Sequence, residues 1–166
     1  MVDAAGDMKY SVKSAVAYAI INIVFELITS ANAGLAQALG GFGGLVTLFV
    51  VGPLLFAYAG YRASKEGGKA IADCAVAGLG AGLVGGLIFA AFNMIYFSAM
   101  TIMNKGQLEI AAMLFSMASS YLGMIVTLCI LGLVAGAIGG LVNGGRQAKA
   151  AAQPRPSPVS PQQPAP

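Results

Sequence analysis

An all-α integral membrane bundle of four transmembrane helices is the fold class this sequence predicts, and three observations predict it. Apolar residues make up 58% of the chain and charged residues 9%, against about 45–50% and about 25% in ordinary soluble domains. The charges fall in clusters between long apolar runs, and the mean hydropathy is +0.81. Four of those runs hold the roughly 20 apolar residues that one helical crossing of a bilayer needs. A water-soluble fold could not hide so much apolar surface behind so few charges. Lipid as the surrounding solvent removes the conflict.

Residues 1–13 form a short polar lead, and the spans are expected at about 14–36, 42–61, 70–103 and 108–142. The last two exceed a single crossing, so they should tilt or project beyond the lipid. Pro53 lies inside the second span and removes one backbone donor, which predicts a kink there. From Gly144 to Pro166 the chain turns small, basic and then proline-rich, a composition that cannot build a packed core and predicts a disordered tail. Arg155, Pro158 and Pro161 are spaced as in peptides bound through a polyproline helix, so the tail could engage a cytoplasmic partner, although a plain tether accounts for it as well.

Orientation follows from the basic residues. Lys9 and Lys13 precede the first span; Arg62, Lys65 and Lys69 separate the second and third; Arg146, Lys149 and Arg155 follow the fourth. Eight of nine thus fall on one side, and Lys105 stands alone on the other. Basic residues beside spans stay in the cytoplasm, so both termini are expected there, in the plasma membrane of a prokaryote. A competing reading makes Ala31-Asn32-Ala33 a signal-peptide cleavage site, but Glu26 inside the apolar stretch argues against it. Val46-Thr47-Leu48, Gly52, Ala57 and Gly60 recur 80 residues on as Val126-Thr127-Leu128, Gly132, Ala137 and Gly140. Two hairpins, the second a duplicate of the first, would produce such a recurrence.

Two patterns are candidates for function. The first is glycine at four-residue spacing: Gly78, Gly82 and Gly86 in the third span, Gly132, Gly136 and Gly140 in the fourth. Residues four apart share a helix face, and a glycine face lets another backbone approach closely where lipid gives helices no hydrophobic drive to associate. The faces could join the two spans within one chain, or join copies of this chain or other membrane subunits. The second pattern is a polar seam along the first span, Ser14, Tyr18, Asn22, Glu26 and Ser30. Glu26 is the only acidic residue deep in a span, and an ionised group there costs about 3 kcal/mol or more. Such residues are suspects for proton relay, cation binding or substrate contact. The structural alternative is a neutral Glu26 hydrogen-bonded across the bundle, to Asn93 or Thr47.

Other chemistry finds little footing. The chain has no histidine, and its two cysteines, Cys74 and Cys129, lie in different apolar runs. No nucleophile–base pair, metal-ligand set or cofactor motif is present, so no catalytic residue, metal or cofactor is expected. The methionines of the third and fourth spans, Met94, Met100, Met103, Met113 and Met117, read as flexible packing rather than copper ligands. No basic stripe interleaved with aromatics suggests nucleic acid. The sequence favours a non-enzymatic structural or accessory subunit of a membrane assembly; the alternative is a small oligomeric channel or proton- or cation-coupled transporter working through Glu26.

Overall fold

A computed structural model describes residues 4–105 and 110–152. Its helices are α1 (Ala4–Ala31), α2 (Ala33–Val46), α3 (Gly52–Gly67), α4 (Ile71–Lys105) and α5 (Ile110–Ala152), with a π-helical segment, Thr47–Val51, between α2 and α3. Four stretches are long and apolar enough to cross a bilayer: Met8–Ala31, Phe42–Gly67, Ile71–Met100 and Leu114–Gly144.

The distribution of side chains decides which solvent surrounds them. The core is built from small residues, among them Ala15, Ala19, Ala59, Ala63, Ala77 and Ala81. Apart from a few such as Phe56 and Leu128, the large apolar side chains point outward: Phe115 is 80% exposed, Ile95 73%, Phe42 70% and Leu54 67%. A soluble protein would reverse this arrangement. The chain is an integral membrane protein.

Several boundaries differ from those read in the sequence, each for a local reason. The first helix stops at Ala31 rather than Ala36 because Asn32 caps the next one. Its side-chain oxygen accepts from the Gly34 N–H at 3.0 Å, and its carbonyl accepts from the Ala36 N–H at 2.9 Å. The expected connection before Phe42 is therefore helical. The kink expected at Pro53 takes the form of the π-helical segment just before it, where the Gly52 N–H reaches back five residues to the Thr47 carbonyl. Widening one turn makes room for a ring that would otherwise press on the carbonyl four residues earlier. The second span runs on to Gly67 and closes at Gly68, whose φ of 60° suits glycine alone. At the other end, α5 continues past Gly144 to Ala152 because Arg146, Gln147, Lys149 and the alanines are good helix formers. The start of the fourth span at 108 and the proline-rich segment from 153 lie outside the described residues.

Packing is uneven. The closest association is α4 with α5, followed by α1 with α4 and α3 with α5, while α1 and α3 touch much less. At one end of the bundle, polar side chains tie the helices together. The Ser11 hydroxyl donates to the Ala77 carbonyl at 2.6 Å, joining α1 to α4. The Asn143 amide donates to Ser64 Oγ at 2.9 Å, joining α5 to α3, and both residues are buried. Arg62 and Glu66 form a two-pronged ion pair on the same end of α3, both bonds 2.7 Å. Replacing Asn143 by alanine removes the partner of the buried Ser64 hydroxyl. It should cost about 1–2 kcal/mol, seen as a lowered melting temperature in detergent, whereas Ser119→Ala on the exposed face of α5 should leave melting unchanged.

Candidate functional site

The polar seam of α1 faces inward as far as Asn22, beyond which Glu26 is half-buried and Ser30 exposed. Ser11, Ser14, Tyr18 and Asn22 are buried, as expected of residues sharing one helix face, while Val12, Val16, Ile20 and Val24 between them meet lipid. The seam has two halves of different character. In the first, Ser11, Ser14 and Tyr18 pack tightly. The Tyr18 ring fills the space that a Cβ would need at Gly52 of α3 and at Gly85 of α4, and it meets Phe56 at a centroid distance of 5.3 Å. Tyr18 and Phe56 are 1% and 0% exposed, so this half is closed.

Beyond Tyr18 the helices part around a partly open cavity of about 400 Å³. α1 contributes Tyr18, Asn22, Phe25, Glu26, Thr29 and Ser30. Opposite stand Ala36 and Gly44 of α2, Thr47 and Leu48 of the π-helical segment, Phe89 and Phe97 of α4, and Met124 of α5. Phe25 is held in place by Gly43, where any side chain would run into its ring. Among the described residues, no lysine or arginine lines the cavity. Glu26 lies five residues, about 7.5 Å, from the end of α1 at Ala31.

The hydrogen bonds around the cavity share one polarity. The Asn22 amide donates to the Tyr18 carbonyl at 2.8 Å, and the Thr29 hydroxyl is shared between the carbonyls of Phe25 and Glu26 at 3.0 Å. The Thr47 hydroxyl donates to the Gly44 carbonyl at 3.0 Å. Each of these groups spends one donor on its own helix, while the second Asn22 N–H and the hydroxyls of Tyr18 and Ser30 are donors in the same lining. The Glu26 carboxyl receives no hydrogen bond from a described residue, and Tyr121 of α5 lies within electrostatic range of it. The interior therefore offers both donors and acceptors and carries one acid.

Of the seam residues singled out in the sequence, Tyr18, Asn22, Glu26 and Ser30 come together here. Asn93 does not. It is buried on α4, donating to the Phe89 carbonyl at 3.0 Å, and reaches the site only through that neighbour. Thr47 lines the cavity but makes no bond to Glu26. Thr29, next to the seam, completes the polar wall. Phe89, Phe97, Met124 and Tyr121 were not foreseen, because nothing local marks one lipid-span aromatic among many as facing inward.

The glycine runs occupy the other side of the bundle. A Cβ added at Gly78 would collide with the Gly132 carbonyl, one at Gly82 with the Leu128 carbonyl, and one at Gly136 with the Cys74 carbonyl. Gly140 abuts the Cys74 side chain, while Gly86 faces the movable tips of Leu128 and Ile125. Gly60 and Gly139, which the four-residue spacing does not mark, bring α3 into the same junction: Gly60 lies against Gly136, and Gly139 against Ala57. Cys74 and Cys129 form no disulfide among the described residues.

Comparison with known protein families, with curated proteins and with solved structures finds no match.

Proposed function

We propose that this chain is a multi-pass membrane protein that binds a proton or a small cation at Glu26, in a one-sided cavity between its spans, as part of transport. The observation that carries the reading is a carboxyl that receives no hydrogen bond among the described residues and lines a partly open cavity of about 400 Å³ with other polar groups of α1. A purely structural glutamic acid would be expected to bond across the bundle, since an unsatisfied acid among apolar helices gains nothing from its burial. The closed half of the seam argues for a binding site reached from one side rather than an open pore.

The cavity lies at the end of the bundle opposite the basic clusters. Tyr10 lies against Gly67, Ser11 binds Ala77, and Ser64 binds Asn143, which gathers the start of α1, the turn after α3 and the end of α5. Basic residues near these ends favour the cytoplasm. The cavity would then face the outside, with the proline-rich tail inside and available to a cytoplasmic partner.

The decisive experiment is proton or cation flux into proteoliposomes, comparing the wild type with Glu26→Gln. Glutamine keeps size and polarity but cannot ionise. The reading requires pH- or cation-dependent flux to vanish while the purified variant keeps its oligomeric state and melting temperature. Undiminished flux ends it.

A second reading, an accessory subunit in a membrane assembly, is favoured by one surface. Ser116, Ser120 and Gly123 are exposed along α5, and a Cβ at Gly123 would meet nothing within 4 Å. Small residues at this spacing suit a neighbouring helix. Under this reading Gly123→Ile breaks up an oligomer seen in mild detergent, and Glu26→Gln changes nothing.

A further inference from the structure

The cavity is far larger than a proton or a bare metal ion requires. About 400 Å³ lies within the range of sites that enclose small organic molecules. Its walls are also wrong for a hydrated inorganic cation. Most of the lining is apolar, and Phe25, Phe89, Phe97 and Tyr18 come from two helices to line the same cavity as one carboxyl. Aromatic faces attract positive charge through their quadrupoles, and organic ammonium groups, with weakly held water, benefit most. Met124 adds a soft, adaptable contact. The lone pairs of Asn22, Thr29 and Thr47 add acceptors for an ammonium N–H, and the Glu26 carboxylate disfavours an anion.

We propose that the ligand of this cavity is an aromatic or otherwise lipophilic organic monocation, with its ammonium group against Glu26 and its apolar part among the phenylalanines. This rests on the reading of Glu26 as a working carboxyl and adds the class of ligand. The cation pairs with the ionised carboxylate, so any proton that Glu26 carries in the empty site leaves as the cation enters. Among the described residues, the phenols of Tyr18 on α1 and Tyr121 on α5 also lie near the carboxyl. Neither carries a positive charge that could replace the ligand.

The test uses full-length protein in lipid nanodiscs with benzyltrimethylammonium as the probe, followed by calorimetry and by proton release in weak buffer. Saturable binding is expected at neutral pH, and any proton released with it should come from Glu26. Glu26→Gln should weaken it about thirtyfold and abolish the release. Phe97→Leu, which keeps an apolar wall, should weaken it about fivefold. Choline, with the charge but no ring, should bind more weakly than the probe. In parallel, difference infrared spectroscopy follows the Glu26 carboxyl on changing pH or adding sodium. If the carboxyl titrates and responds to sodium but the probe does not bind, the ligand class is overturned while the site stands. If the probe binds equally to Glu26→Gln, the inference is overturned. If Glu26 neither titrates nor responds to any cation, the function proposed above fails with it.

Discussion

Replacing Gly136 by isoleucine should dismantle the packed side of the bundle. Gly136 sits where three helices meet. Its own Cβ would strike the Cys74 carbonyl and lie 2.9 Å from the Gly78 Cα, and Gly60 of α3 approaches its carbonyl from the other side. These neighbours are backbone atoms. No rotamer change relieves the clash, so whole helices must separate. Overpacking a core with movable side chains costs about 1–3 kcal/mol; with fixed backbone on two sides, a loss of about 3 kcal/mol or more is expected. The readout is a large fall in melting temperature in detergent, or no recoverable folded protein. Gly86→Ala, which meets only side-chain tips, should cost much less. Gly123→Ala meets open space and should raise helix stability by about 0.5–1 kcal/mol. A uniform penalty across the three positions would contradict the packing described.

The second large effect belongs to Tyr18. Its ring closes the cavity toward the packed end, wedged between Gly52 and Gly85 and against Phe56. Truncation to alanine removes a buried aromatic, at a cost of about 3–5 kcal/mol. It also joins the cavity to Ser14, the only buried side-chain oxygen among the described residues without a hydrogen-bond partner. A void that gains polar groups takes up water, so the seam would be wet further along α1. Tyr18→Ala should therefore leak protons down a pH gradient in liposomes, independently of any substrate. Tyr18→Phe keeps the ring and should stay sealed. Equal leakage from both variants would remove Tyr18 from the seal.

The sequence carried the parts of this arrangement that repeat along one helix. Four-residue spacing alone put Tyr18, Asn22, Glu26 and Ser30 on a common face, and the same arithmetic found the glycines of α4 and α5. The departures came from two sources. Local side-chain and backbone chemistry shifted boundaries: an asparagine cap at Asn32 ended α1 early, and a π turn ahead of Pro53 took up the expected kink. These compete with hydropathy on equal terms within a few residues, and hydropathy does not see them. The rest is long-range. Gly60 and Gly139 matter because α3 packs on α5, Phe97 because α4 packs on α1, and Met124 because α5 packs on α4; in a chain this apolar, pattern does not separate an inward aromatic from a lipid-facing one. Asn93 shows the converse error, a polar residue in a span that satisfies itself on the preceding turn rather than at the site.

Water reaching Glu26 from one side, and stopping at Tyr18, is what every functional statement above depends on. Single-cysteine labelling measures it, using a membrane-impermeant maleimide in a background of Cys74→Ala and Cys129→Ala. Ser30→Cys and Asn22→Cys should react from the face opposite the basic loops, and Ser14→Cys from neither face. Labelling of Ser14→Cys from the cytoplasm, or an inert Asn22→Cys in folded protein, would contradict the account.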